Sequence, residues 1–134
     1  MKRLLPVVAL LTVLLSACTT FLDGKTLNAF PTNPEPVSGG DTALLRGQIV
    51  IEEKCLRLQS LEGDSLLIRW PYGYRYRTVN FGSVDILDAN DELVASIDDF
   101  VELSGGEIQA TPPPECEGPY WGAVSVSLID SPAE

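Results

Sequence analysis

The sequence predicts an all-β domain that folds as a small closed or partly closed antiparallel barrel. From residue 42 to residue 130, short segments that alternate apolar and polar residues are separated by the turn formers Gly, Pro, Asn and Asp. No segment after residue 17 repeats its apolar residues with a helical period. Six or seven such strands favour a barrel, because an open sheet of this size leaves two edges that promote aggregation.

The individual strands follow from these alternations, taken in order. Gly47 lies where the first strand bends or bulges, and Gly63-Asp64 forms the turn before the third strand. The acidic stretch 88–91 joins two strands as a hairpin, and the segment 104–106 ends the sixth strand. The three prolines at 112–114 fit only a loop or an edge. We predict strands at residues 45–51, 55–59, 65–70, 83–87, 93–97, 100–103 and 123–129.

The N-terminal segment has the organisation of an export signal. Lys2 and Arg3 precede an apolar run at 4–15, and small residues then lead to a cysteine in the string Leu15-Ser16-Ala17-Cys18. The run is too short for a transmembrane helix, which needs roughly 20 apolar residues. The segment resembles a bacterial lipoprotein signal peptide, which implies cleavage before Cys18 and attachment of diacylglycerol to its thiol. A plain secretory signal is the alternative.

The cysteines agree with this interpretation. The chain has three of them, Cys18, Cys55 and Cys116, and an odd number in an exported protein leaves one thiol to be explained. Lipidation of Cys18 explains it, so Cys55 and Cys116 are free to form a disulfide in an oxidising compartment. The bridge would close a loop of about 60 residues and contribute on the order of 4 kcal/mol in the chain-entropy model.

Four regions are expected along the chain: a lipoprotein signal peptide at 1–17, a Pro/Gly-rich flexible tether at 18–41, the β-barrel domain at 42–130 and a C-terminal tail at 131–134. Phe30 lies within the predicted tether. Its ring belongs either at the membrane interface or on the domain, and the sequence leaves both alternatives open.

The formal net charge of −10 is unevenly distributed. Loss of Lys2 and Arg3 with the signal changes it to −12. Residues 18–77 hold seven basic and seven acidic side chains, whereas residues 78–134 hold twelve acidic and no basic ones. Nucleic-acid phosphates and anionic headgroups would repel the second half, so no nucleic-acid partner is predicted. The acidity serves solubility, or it forms a docking face for a basic protein or for cations.

A set of short segments spread over most of residues 45–125 carries a second resemblance. These segments are GQIV at 47–50, CLRL at 55–58, LIRWP at 67–71 followed by GY at 73–74, DFVEL at 99–103 followed by GGE at 105–107, and CEGPYW at 116–121. With them the chain is similar to small OB-like β-domains, which are five-stranded barrels with extra turns, found in uncharacterised exported bacterial proteins. This resemblance implies the fold and the disulfide, and it implies no catalytic residues.

The chain lacks the residues that most kinds of enzymatic catalysis require. Histidine is absent, which removes Ser-His and Cys-His pairs and the usual zinc and iron sites. The stretch 88–92 begins like a calcium loop, but Leu93 stands where the glycine belongs, so a hairpin turn is the better interpretation. We therefore predict no cofactor, no metal site and no enzymatic activity.

One local group of residues stands out as a candidate binding surface. Aromatic and cationic side chains alternate between residues 69 and 77, which suits sugar rings, anionic polymers or protein hot spots. The competing interpretation, which the alternation favours, is a strand whose rings face the core and whose charges face solvent. Tyr120 and Trp121 are likewise either binding residues or core residues, and their position beside Cys116 favours packing onto the bridge. The candidate binding residues are Arg69, Tyr72, Tyr74, Arg75, Tyr76 and Arg77.

Together these features predict a lipid-anchored cell-envelope protein that acts as a non-catalytic binding or structural module. Its partners would be the membrane, through Cys18, and an envelope protein or glycan. The anchor would lie in the outer membrane if the source has one, because Thr19 is not the Asp associated with inner-membrane retention, and otherwise on the outer face of the cytoplasmic membrane. One alternative is an inhibitor of a basic hydrolase that docks on the acidic half, and a weaker one is a small glycan hydrolase.

Overall fold

The computed structural model describes residues 27–37 and 43–132. The predicted signal peptide, Cys18 and the first part of the predicted tether lie outside these residues. The described part of the chain is all-β, with one short 3₁₀ turn at Asn80–Gly82 and no α-helix. Its strands are β1 (Ala43–Glu52), β2 (Cys55–Ser60), β3 (Ser65–Arg69), β4 (Arg75–Val79), β5 (Ser83–Leu87), β6 (Leu93–Ser96), β7 (Phe100–Ile108) and β8 (Tyr120–Ile129).

Five strands form the main sheet, in the hydrogen-bonded order β1-β2-β3-β8-β7. Strand β7 also pairs with β1, so the order of pairing returns to its starting strand. The prediction of a purely antiparallel arrangement is wrong at one position, because β3 and β8 run parallel over three residue pairs. A parallel pair requires a long crossover between its strands, and the chain between β3 and β8 supplies it with four further strands.

The remaining three strands form the small sheet, in the order β4-β5-β6. The predicted hairpin is confirmed as β5 and β6. Its turn is stabilised by the Asp88 carboxylate, which accepts hydrogen bonds from the backbone N–H groups of Asn90 at 2.8 Å and Glu92 at 3.1 Å. Strand β4 lies where the strand interpretation of residues 69–77 expects one: Arg75 and Arg77 are exposed, and Tyr76 between them is half-buried. Pro71 and Gly73 (φ +80°) separate this strand from β3.

Strand β7 is longer than predicted. The segment 104–106 was expected to end it, yet the strand continues through two glycines to Ile108 and pairs with β8 along its whole length. Gly105 makes this continuation compatible with the close packing of the two strands. Its φ is +148°, and a Cβ atom there would overlap the carbonyl oxygen of Gly122.

The apolar residues form two separate clusters. The larger cluster joins both sheets. It contains Ile49 and Leu103 of the main sheet, Trp70 directly after β3, and Val84 and Ile86 of the small sheet. The smaller one lies around the disulfide and contains Cys55, Leu67, Cys116 and Tyr120. Strand β3 lies between the two clusters, so its middle residues are buried on both faces of the sheet.

The predicted Cys55–Cys116 disulfide is present, with the two Cα atoms 5.8 Å apart. Tyr120 packs beside it, as its position near Cys116 indicated. Trp121 points to the other side of β8 and joins the larger cluster. Within residues 27–37 and 43–132, no helix is long and apolar enough to cross a membrane.

Residues 27–37, which we call the strap, differ from the flexible tether that the sequence predicts. Leu27 is buried in the larger cluster, and Phe30 packs against it. Asn28 donates its backbone N–H to the carbonyl of Lys54, and Asn33 does the same to the carbonyl of Trp70, each at 2.9 Å. The prolines of this stretch oppose regular structure, but its apolar side chains gain enough burial to hold it on the domain.

Candidate functional site

The disulfide determines which loops meet at the candidate site. Cys55 opens β2 directly after the two-residue turn at Glu53 and Lys54, both of which have positive φ. Cys116 belongs to the long loop between β7 and β8. The bridge and a hydrogen bond from Leu67 N–H to the carbonyl of Pro119 (2.9 Å) hold this loop against β2 and β3. The β1–β2 turn and the β7–β8 loop therefore face each other.

A groove of about 490 Å³ lies between them, and we call it the bridge groove. Its volume is within the range of small-ligand pockets, although its lining is mainly charged rather than apolar. This makes it suited to a charged group at the protein surface rather than to an enclosed apolar ligand. The lining residues are Glu53, Arg57, Pro114, Glu115 and Glu117.

Arg57 is the one lining residue whose side chain is largely buried, with 12% of it exposed. Its Nε lies 4.0 Å from a carboxylate oxygen of Glu52. The guanidinium packs closely on the backbone of Gly118, where an added Cβ would lie 3.3 Å from Nη1. Gly118 has φ +118°, a backbone conformation that favours glycine.

The guanidinium of Arg57 also acts on Tyr120 beneath the groove. Burial raises the pKa of the Tyr120 hydroxyl, and the positive charge of Arg57 opposes this with a smaller effect. Arg57 is thus held between the disulfide cluster and the groove. Its position gives the base of the groove a positive charge.

The three carboxylates of the groove form its rim. Glu53, Glu115 and Glu117 are exposed, and none of them forms an ion pair within the part of the chain that the structure describes. Three negative charges around one guanidinium leave the groove with an excess of negative charge. Such a field attracts a cationic group and increases its rate of encounter.

The cationic residues predicted for binding lie apart from this groove. Arg69 ends β3 and is half-buried, and its Nε has no hydrogen-bond partner among the described residues. Arg75 forms an ion pair with Asp91, and Arg77 contacts Asp85 with its Nη2 3.2 Å from the carboxylate. Two of the three arginines are therefore paired within the small sheet.

The predicted aromatic residues are divided between the surface and the core. Tyr72 is 49% exposed in the turn after β3. Tyr74 and Tyr76 are half-buried and pack on the larger cluster, and burial, reinforced by the charge of Asp88, raises the pKa of Tyr74. The ring of Phe30 lies on Tyr76, with the centroids 5.3 Å apart. The structure thus brings these aromatic rings together under the strap and leaves Tyr72 as the exposed one.

Tertiary contacts also rearrange the charge asymmetry of the sequence. Carboxylates of the acidic second half pair with arginines of the neutral first half at three places: Arg46–Glu102, Arg75–Asp91 and Arg77–Asp85. Asp85 accepts a further hydrogen bond from the Ser96 hydroxyl at 2.6 Å. The acidic half is therefore partly neutralised, and Glu115 and Glu117 beside the disulfide are among its carboxylates that form no ion pair with the described residues.

Reasoning from the sequence missed the lining of the bridge groove, although a signal was present. Glu115 and Glu117 flank Cys116, while Glu53 and Arg57 each lie two residues from Cys55. A disulfide between the two cysteines necessarily brings these four charged residues into one neighbourhood.

The described residues, 27–37 and 43–132, contain no group of three or more His, Cys, Asp or Glu side chains arranged to hold a metal ion. Comparison of the chain with protein-family models, with curated proteins and with solved structures gave no match in any of the three.

Proposed function

We propose that this chain is a lipid-anchored cell-envelope protein whose β-domain binds a partner without chemically converting it. The Cys55–Cys116 disulfide supports an oxidising compartment outside the cytoplasm. It also accounts for two of the three cysteines, which leaves Cys18 available for lipid. Anchoring at the outer membrane, where one exists, follows from Thr19 after the lipidated residue.

We further infer that the main sheet is an OB-like barrel. Numbered within the main sheet alone, its strands follow the order 1-2-3-5-4 with a parallel pair between the third and fifth, which is the order of an OB-fold. The small sheet is an insertion after the third strand. In OB-folds, ligands bind near the second and third strands and the loops L12 and L45. The bridge groove lies between the corresponding two loops of this chain.

The observation that carries the binding proposal is the set of three unpaired carboxylates around the groove. Their chemistry fits a Lys- or Arg-bearing segment of an envelope protein. The same surface would serve an inhibitor of a basic hydrolase, which is the second candidate. The two candidates differ in whether binding blocks the activity of the bound partner.

The anchor is tested by mass analysis of the chain isolated from bacterial membranes. Acylated Cys18 at the N-terminus is expected, and the variant Cys18→Ser should leave the membrane fraction. A chain that retains residues 1–17, or that carries an unmodified thiol at Cys18, would refute the anchor.

The groove is tested with a Lys/Arg-rich model peptide whose binding is followed by fluorescence anisotropy at low and high salt. The double variant Glu115→Gln/Glu117→Gln should weaken binding about five- to tenfold at low salt. The control Glu62→Gln/Glu92→Gln removes two exposed carboxylates elsewhere and should change binding less than about twofold. Equal losses in both double variants would show general charge attraction and contradict a specific site.

A further inference from the structure

The strap determines where the domain is attached to its proposed anchor. Its first residue, Leu27, is only 6% exposed and belongs to the larger apolar cluster. Next to it, Asn28 donates its side-chain amide to the carbonyl of Glu53 at 3.2 Å and its backbone N–H to the carbonyl of Lys54 at 2.9 Å. The chain therefore joins the domain at the β1–β2 turn.

The attachment continues along the strap and does not depend on this first contact alone. The carbonyl of Pro31 accepts a hydrogen bond from Trp70 N–H at 2.9 Å, and Thr32 forms a parallel bridge with the same residue. Asn33 is buried and donates its side-chain amide to the carbonyl of Ala123 at 3.2 Å. Since a buried amide that lost this partner would be costly, the strap is an integral part of the domain.

The docked strap shortens the reach that the sequence alone suggests. Residues 18–41 as a tether would extend to roughly 80 Å at about 3.3–3.6 Å per residue. Counted to Leu27, the chain takes nine steps from Cys18, which span about 30 Å at full extension.

We propose that the β1–β2 turn end of the domain faces the bilayer and is held within about 30 Å of its surface. This inference rests on the lipid anchor at Cys18 proposed above. The partner of this end of the domain is accordingly a cationic protein segment displayed close to the membrane surface. The opposite end, at the β2–β3 turn (residues 61–64), lies farther away by the length of β2, which is about 20 Å.

The charges at the turn end agree with a domain held by its anchor rather than by adhesion. Glu52 and Glu53 lie at this end together with the exposed Glu115 and Glu117, against Lys54 and the largely buried Arg57. An anionic surface would repel this end. The bridge groove opens there, so a cationic segment displayed close to the membrane lies within its reach.

The orientation is tested by energy transfer on the full chain, isolated in its acylated form and reconstituted into phosphatidylcholine vesicles that contain acceptor-labelled lipid. An azide-bearing residue replaces Glu53 in one variant and Glu62 in another, and each carries the same donor dye. Both positions are exposed. Transfer from position 53 should be at least about twofold higher than from position 62, given the distances involved.

A linker variant then tests the short attachment. Twenty Gly/Ser residues inserted between Lys25 and Thr26 should lower transfer at both positions and reduce the difference between them. The same linker inserted between Ser131 and Pro132 should change neither value.

The outcomes separate the two proposals. Cys18 without an acyl chain in the mass analysis overturns the anchor and, with it, the orientation. An acylated chain with equal transfer from positions 53 and 62, or with transfer unaffected by the linker after Lys25, overturns the orientation and leaves the anchor intact.

Discussion

The ring of Phe30 stacks on the indole of Trp70, with the ring centroids 5.3 Å apart and the planes 11° from parallel. Trp70 is among the largest fully buried side chains. A residue that the sequence places in a tether thus covers the aromatic centre of the domain. The contact links the stability of the strap to that of both sheets, and it yields the first prediction.

The substitution Phe30→Ala should lower the free energy of unfolding by about 2 kcal/mol, less than for a fully buried ring because Phe30 is only half-buried. Val37→Ala in the same strap is the control, since Val37 is 50% exposed and should change stability by less than about 0.5 kcal/mol. Urea unfolding followed by tryptophan fluorescence measures both. Equal effects would mean that the strap does not dock in solution.

Removal of the disulfide should destabilise the domain strongly. The bridge spans 61 residues, and the double variant Cys55→Ala/Cys116→Ala should lose about 4 kcal/mol. The control Cys18→Ala leaves the bridge intact and should unfold like the parent chain. The comparison requires urea unfolding without reductant, and full stability of the double variant would contradict the structural role of the bridge.

Gly105→Ala should be among the most damaging small substitutions. Its Cβ would overlap the carbonyl oxygen of Gly122 and lie 3.2 Å from Nε1 of Trp121, at a φ of +148°. We expect a loss above about 3 kcal/mol, or failure to fold. Gly63→Ala has positive φ but open space, so it should cost about 1 kcal/mol. Circular dichroism and urea unfolding compare the two, and similar losses would contradict the close packing of β7 on β8.

Stability should decline at alkaline pH. Burial raises the pKa of Tyr74 and Tyr120, so the folded state favours their neutral forms. Their contribution is complete below about pH 10, where unfolded tyrosine ionises, and is lost as the pH rises through the higher folded pKa values. Urea midpoints from pH 8 to 11 measure the decline. It should be shallower in Tyr74→Phe than in the parent chain, and an equal slope in the two chains would contradict the burial of Tyr74.

Two aspartates of the small sheet should differ in importance. The Asp85 side chain is 13% exposed and accepts hydrogen bonds from Arg77 and from the Ser96 hydroxyl, whereas the Asp91 side chain is 63% exposed. Asp85→Ala should cost about 2 kcal/mol, and Asp91→Ala should cost less than about 1 kcal/mol, as is usual for exposed pairs. Thermal unfolding distinguishes them, and a larger loss for Asp91→Ala would reverse the assignment.

The strands that the sequence predicted correctly are those whose pattern is local. The hairpin of β5 and β6 follows from alternation on both sides of an Asp-Asn-Asp turn, which needs no information from elsewhere in the chain. Alternation likewise indicates a strand in the second half of residues 69–77, where the structure has β4. Only its pairing with β5 places this strand in a second sheet, and the sequence does not predict that pairing.

The strap and β7 also depend on long-range contacts that local sequence patterns do not predict. Composition predicts flexibility where Pro31, Pro34 and Pro36 accumulate, and it leaves open whether Phe30 lies at the membrane or on the domain. The structure decides for the domain, because Leu27 and Phe30 find apolar surfaces far along the chain. Gly105 looked like the end of a strand. In the structure, glycine allows the strand to continue, because the neighbouring strand approaches too closely for any side chain.

The candidate site is also predictable from the sequence only in part. The pairing of Cys55 with Cys116 was accessible from counting cysteines and is confirmed. The bridge groove depends on how the β7–β8 loop lies over β2. The binding role predicted for residues 69–77 stays a prediction, now with Arg75 and Arg77 paired to aspartates of the small sheet.

The sequence by itself determined the β class, the cysteine pair and the division of the chain into a neutral first half and an acidic second half. These depend on residue type, two-residue alternation and turn chemistry, which act over a few neighbouring residues. Only the tertiary structure decided which arginine neutralises which carboxylate, that the strap is part of the domain, and which charges remain unpaired beside the disulfide. Those outcomes depend on contacts between residues far apart in the chain, and packing of the whole domain selects them.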